Sequence, residues 1–194
     1  MTKLLNFLLA AILVCCMAAC GKKETPTNLC AGATADSYSP DFQIWCPTQG
    51  SDYYVPTKYG CPPHGEGISP PIQWKGIPEG TTHLHLMVID ATCTYECNDC
   101  CQFHHWILDI PLNELPDSGP ISKQGIEEGA AKNPLVLQYT QENTLGQKAY
   151  MPFCPPVIQT HAYVYQLIAC KESGGSRQVL GRSQSLPLLF TLQH

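Results

Sequence analysis

The sequence has no long apolar run, no basic cluster, no internal repeat and no sustained amphipathic helical period. Each absence removes a class of protein. The apolar stretch from Leu4 to Val14 is broken by Asn6 and falls well short of the roughly 20 residues a membrane-spanning helix needs. Lys and Arg number 11 against 16 Asp and Glu, a formal net charge of −5. An acidic chain with no basic stripe is a poor partner for nucleic acid. Residues 122–132 are the one helical candidate, and Gly125 and Gly129 oppose it. Ser69 lies in Ser-Pro-Pro with no Gly-x-Ser-x-Gly elbow, so the chain offers no recognisable hydrolase nucleophile. Without repeats or low-complexity tracts, about residues 38–194 suit one domain with a sizeable core.

The amino end has the layout of an export signal: Lys3, a short apolar run, then small residues before Cys20. Met17-Ala18-Ala19-Cys20 resembles a bacterial lipoprotein signal, with Met17 where Leu is usual. The resemblance implies that residues 1–19 are removed and that Cys20 is acylated. It also implies that residues 20–37, small and polar, tether the domain to the membrane. Gly21 in place of Asp resembles the pattern of lipoproteins passed on to the outer membrane, so the domain is expected in the bacterial envelope, facing the periplasm. Several acyl chains make such an anchor firm, at about 0.8 kcal/mol per buried methylene. An ordinary cleaved signal, leaving a soluble exported protein, is the other reading.

Cysteine is abundant, at twelve. Cys15 and Cys16 leave with the signal and Cys20 is the lipid site, so nine remain in the mature chain. In an exported protein disulfides are the default, and an odd number leaves at least one thiol unpaired. Cys93, Cys97, Cys100 and Cys101 crowd a loop that ends at His104 and His105. This set suits a disulfide-stapled loop, with further bridges to Cys61 or Cys154. It would also suit zinc or a softer metal, or redox chemistry at Cys97-Asn-Asp-Cys100, although no βαβ pattern surrounds that motif.

Dense proline and glycine punctuation separates short β-branched and aromatic runs: 43–46, 72–75, 84–89, 103–110, 161–170 and 186–192. Glu172-Ser-Gly-Gly-Ser176 reads as a hairpin turn. The fold class is therefore mostly β, an antiparallel two-sheet sandwich with a few short helices. The stretch Tyr150–Tyr163 organises the chemistry. Pro155 and Pro156 make a rigid turn, and the strand after it alternates so that His161, Tyr163 and Tyr165 share a face. By the same alternation Phe103, His105 and Ile107 share one face of their strand, with His104, Trp106 and Leu108 on the other. Asp90 ends a strand, whereas His105 and His161 each open one. The arrangement fits an anion-binding corner, or a tyrosine-rich core whose histidine satisfies a buried carbonyl.

With these pieces in place the chain resembles the phosphatidylethanolamine-binding protein family, also called Raf-kinase-inhibitor-like proteins. The matching blocks come in the family's order: Cys61 with Ser69-Pro-Pro-Ile-Gln-Trp-Lys-Gly-Ile-Pro-Glu-Gly-Thr81; Phe103-His-His-Trp106 with Ile110-Pro111; Asn143-Thr-Leu-Gly146 with Tyr150; and Cys154-Pro-Pro with His161-Ala-Tyr163. The resemblance implies a small pocket for a phosphate-like group, formed by Asp90, His105, His161 and Tyr163 with Tyr150 and Pro155 on its rim. Two imidazoles and a phenol can donate to an anion, better in mild acid when the imidazoles are charged. The chain departs from the family where Asp90-Ala-Thr-Cys-Thr94 lacks a second acid and both prolines. It also departs at Pro152-Phe153 and Ile158, where glycine freedom is lost and the pocket mouth is expected to narrow or change shape, and at Ala162, where the family has Arg. The function implied is non-enzymatic binding of a phosphate-bearing small molecule or headgroup, without a cofactor and with room for a protein partner. The competing class is a metal-handling or thiol-redox lipoprotein built on the cysteine loop and His104.

Overall fold

Short strands rich in β-branched and aromatic residues form two antiparallel sheets in the computed structural model, which describes residues 40–92 and 102–192. In chain order the strands are β1 (Gln43–Trp45), β2 (Ile72–Lys75), β3 (His83–Asp90), β4 (Phe103–Pro111), β5 (Ile121–Ser122), β6 (Gly125–Ile126), β7 (Thr140–Gln141), β8 (Thr160–Ser173), β9 (Ser176–Gln184) and β10 (Leu188–Thr191). The smaller sheet runs β1-β2-β6-β5. The larger runs β10-β8-β3-β4-β7, with β9 also pairing with β8. The signal, Cys20, the tether and the loop cysteines Cys93, Cys97, Cys100 and Cys101 lie outside the described residues.

Period-2 alternation fills the space between the sheets. Leu84, Leu86 and Val88 of β3, Trp106, Leu108 and Ile110 of β4, and Tyr165 and Leu167 of β8 pack with Ile44, Ile72 and Trp74 of the small sheet. Each such side chain contributes about 1.5–3 kcal/mol on burial. Trp106 satisfies its indole N–H inside this core by donating to Thr140 Oγ1 at 3.2 Å, and Thr140 donates onward to the Val136 carbonyl at 3.1 Å.

The doubt about a helix over residues 122–132 is borne out, and one other expectation is corrected. Residues 122–132 are not one helix. They complete the β5–β6 hairpin and end in a 3-10 turn, Ala130–Lys132. Gly125 explains the strand, because a Cβ there would strike the Ile72 carbonyl of neighbouring β2. The α-helix among the described residues is one turn, Pro134–Leu137, opened by proline and capped by Asn133, whose Oδ1 accepts from the Leu135 amide. The correction concerns β4. Ile89 pairs with His104 and Val88 with Trp106, so His105 is an extra residue, a β-bulge. The bulge turns His105 to the same side as Trp106, and Ile107, not Trp106, faces away from the core.

The β8–β9 turn is the one expected: Gly174 and Gly175 both take positive φ, 59° and 78°, as a two-residue hairpin requires. Cys61 and Cys154, expected to hold loop cysteines, bridge each other instead, with Cα atoms 5.4 Å apart. The segments that carry them already run side by side: Cys61 N donates to the Phe153 carbonyl and Phe153 N to that of Tyr59. Cys170 is also disulfide-bonded. Cys46 is a buried free thiol, one unpaired cysteine of the kind an odd count demands.

Candidate functional site

Three neighbouring strands of the large sheet bring their polar ends together. Asp90 closes β3, and it sits opposite both Phe103 at the start of β4 and Tyr163 near the start of β8. His161 lies two residues before Tyr163 on the same face of β8. The bulge adds His105 from β4, whose ring centroid lies 5.2 Å from Tyr163 and 5.0 Å from Phe103. Asp90, His105, His161 and Tyr163, the residues named by the family resemblance, thus meet at one end of the sheet.

His161 and Asp90 form the polar centre, with Nδ1 2.7 Å from Oδ2. A carboxylate oxygen accepts, so Nδ1 carries a proton and Nε2 is left for a ligand. The other carboxylate oxygen accepts the Thr92 amide at 2.9 Å, an Asx-type turn. Thr92 Oγ1 in turn accepts the Ala162 amide at 2.7 Å, tying the end of β3 to the start of β8. Both Asp90 oxygens are therefore engaged by protein donors. Its negative charge is held behind the imidazole and not aimed at an incoming anion. The His161 side chain is 13% exposed against 6% for Asp90, so the imidazole is the part of the pair that meets solvent.

His105 plays a different part from the one expected. It is buried, and its Nδ1 lies 3.0 Å from the Met151 carbonyl, which can only accept. The proton is therefore on Nδ1, and Nε2 presents a lone pair. Desolvation pushes the imidazole down to about 4, so His105 stays neutral in mild acid. Improved anion binding at such pH cannot come from a second imidazolium here. Neutral His105 suits a ligand that brings its own proton, such as a singly protonated phosphate.

The remaining expected residues form walls. Tyr163 is fully buried and stacks on Phe153 with centroids 4.0 Å apart. Tyr150 packs its ring against Trp106 and Phe153, and its hydroxyl is buried in the core, where desolvation raises its pKa far above that of a free phenol. Pro155 is buried and Pro156 exposed, so the latter forms the outer edge of the turn. His104 points to the opposite face of the sheet from His105, where burial lowers its pKa. It does not join this cluster.

Sequence reasoning passed over three contributors. Met151 accepts from the His105 ring, and its amide donates to the His105 carbonyl at 2.9 Å, which locks the bulge. Phe153 forms the back wall, and Thr92 holds Asp90. Asp90-x-Thr92 is a readable Asx-turn signal. Met151 and Phe153 carry no such signal, because their roles come from backbone pairing and stacking.

Ile158 sits in the left-handed region that glycine adopts without strain. Its φ is 64°, a genuine outlier for a β-branched residue, which costs about 1–2 kcal/mol. The loop therefore holds strain at this position.

A sequence profile of phosphatidylethanolamine-binding proteins matches residues 48–187. The chain belongs to the phosphatidylethanolamine-binding protein family. It is 30% identical over 115 residues to a UPF0098 protein of Methanothermobacter thermautotrophicus, covering 59% of this chain and 67% of that protein. It is 27% identical over 143 residues to a UPF0098 protein of Chlamydia muridarum, covering 72% and 86%. Among solved structures, the homologue of this family from Chlamydia trachomatis superposes with a TM-score of 0.57 at 22% identity, covering 78% of this chain and 98% of that one. Escherichia coli YbcL, described as a member of the mammalian family, gives 0.56 at 17% with the same coverage. At these identities the two structures share the fold. Family membership places the chain among binding proteins, a group that is generally non-catalytic.

Proposed function

We propose that this chain is a non-enzymatic binding protein whose site takes a phosphate-like anion, free or as part of a headgroup, and that an acylated Cys20 holds it in the bacterial envelope, facing the periplasm. The observation that carries the reading is the Asp90–His161 pair. Both Asp90 oxygens are engaged by protein donors, and His161 offers Nε2 at the solvent end of the cluster. Neutral His105 behind it supplies an acceptor for a ligand proton. The same pair would serve as a general base if a nucleophile were beside it. Membership of the family, which is generally non-catalytic, supports binding.

The test is calorimetric titration of the acyl-free domain with inorganic phosphate, for the wild type and for His161→Ala. Saturable binding that is lost in the variant is expected. Equal heats from the two proteins would refute the reading. Incorporation of labelled palmitate into the full chain, abolished by Cys20→Ala, is the expected result for the anchor.

A further inference from the structure

The face of the large sheet turned away from the core carries an apolar cluster of its own. Ile168 and Cys170 of β8 pack there with Met87 of β3 and Val179 of β9, all from the sheet itself. Ile168 is 6% exposed and Cys170 0%. Side chains on one face of a sheet are buried this far beneath a second layer. The described helices and the small sheet do not supply it, because they pack on the opposite face. His85 shares the outer face with Ile168, its pairing partner, and its buried Nδ1 has no hydrogen-bond partner among the described residues. A buried ring nitrogen in that state calls for a polar group from outside the sheet.

Cys170 shows where the layer comes from. It is disulfide-bonded, while Cys61 bridges Cys154 and Cys46 is a free thiol, so its partner lies outside the described residues. The cysteines between β3 and β4 cannot reach it. Cys170 lies eight residues along β8 from Ala162, which is tied to Thr92, a separation of about 26 Å. Cys97, five residues from both Thr92 and Gln102, reaches about 17 Å, and the Cα–Cα span of a disulfide adds about 6 Å. Cys93, Cys100 and Cys101 lie nearer one end and reach less. The amino-terminal segment arrives from a closer point. Phe42 lies against β9, where a Cβ on Gly181 would meet its ring at 3.4 Å, and Gly181 pairs with Ala169, the neighbour of Cys170. Pro40 therefore starts beside the strand next to Cys170, and the ten residues back to Cys30 span up to about 35 Å.

We infer that Cys30 is the disulfide partner of Cys170, and that residues 30–39 cross the edge of β9 and cover the outer face of the large sheet. Under the export reading above, on which this assignment rests, Cys15 and Cys16 are removed and Cys20 is acylated, so Cys30 is the amino-terminal thiol that remains. Cys30-Ala-Gly-Ala-Thr-Ala35 suits the place. In an extended chain Ala31, Ala33 and Ala35 fall on one side, and their methyl groups let the backbone come close enough to give His85 Nδ1 a partner. The clasp also shortens the leash: ten residues, not twenty, separate an acylated Cys20 from the folded domain. Its reach from the membrane falls from about 70 Å to about 35 Å.

The experiment maps disulfides by mass spectrometry in the full chain, exported to an oxidising compartment, purified in detergent and digested without reduction. A peptide containing Cys30 linked to one containing Cys170 is expected, and a dithiol should separate them. Linkage of Cys170 to Cys93, Cys97, Cys100 or Cys101 would overturn the inference. Linkage to Cys20 would overturn it and the acyl anchor together, whereas a Cys30–Cys170 link beside an unmodified Cys20 would remove the anchor and leave the clasp standing. Cys30→Ser should open Cys170 to iodoacetamide in native buffer, one more alkylation than in the wild type, and raise the fluorescence of a bound hydrophobic dye. An unchanged dye signal in a variant that still unfolds cooperatively would overturn the docking of residues 30–39 on this face.

Discussion

Buried His105 should make the protein acid-sensitive in a definite pH window. In the unfolded chain its imidazole takes a proton near 6.5. In the fold, desolvation outweighs the help of the Met151 carbonyl and Asp90 and pushes it down to about 4. Between these values the unfolded state binds the proton and the folded state does not, so stability must fall as pH falls. The contribution is fully present above 6.5, declines through the window and levels off below about 4, where both states are protonated. Between pH 7 and pH 5 the loss from this one group is about 1.8 kcal/mol. His85, also buried and pushed down to about 4 by desolvation, adds a parallel loss. The assay is urea unfolding at both pH values for the wild type and His105→Gln, which keeps a donor for the Met151 carbonyl but does not titrate. The variant should lose about 1.8 kcal/mol less than the wild type over the interval. If its pH dependence matches the wild type, His105 is charged in the fold, and the assignment of Nε2 as a lone-pair acceptor falls with it.

Two further outcomes are expected. Replacing both Cys61 and Cys154 with Ala opens a loop spanning 93 residues and should cost about 4–5 kcal/mol through the unfolded state, read as a lower urea midpoint. A shift below about 1 kcal/mol would mean that the remaining cross-links and core already confine the chain. Thr140→Val leaves the buried Trp106 N–H without its acceptor and should cost about 1–3 kcal/mol, while Thr140→Ser stays near the wild type. A Thr140→Val variant as stable as the wild type would refute the contribution of the hydroxyl.

Much of this architecture is legible in the sequence, because strand composition and proline punctuation act locally. The residues of β2, β3, β4 and the first part of β8 alternate or run apolar between breakers, and they are strands within a residue or two of expectation. β9 was not legible. Its Ser-Arg-Gln-Val-Leu-Gly-Arg-Ser-Gln sequence has neither a clean alternation nor a continuous apolar run, and it becomes a strand because the Gly174–Gly175 turn folds it back on β8. β5 and β6 failed for a related reason: two-residue strands have no period, and Gly125 reads as a helix breaker until its contact with β2 is seen.

The candidate site shows the same division more sharply. The family resemblance named the residues that gather here, yet strict alternation set His105 and Trp106 on opposite faces of β4, and they share one. Sequence period holds only while both strands of a ladder advance together. At β3 and β4 they do not, since one residue on β3 faces two on β4. The slip is fixed by groups 46 positions apart in the chain: the backbone and ring of His105 engage the amide and the carbonyl of Met151. That grip also sets the tautomer of His105. One irregularity therefore places the imidazole, buries it, keeps it neutral and decides which of its nitrogens a ligand can meet. The chemistry of the site is a consequence of where the ladder breaks, and only the folded chain shows where that is.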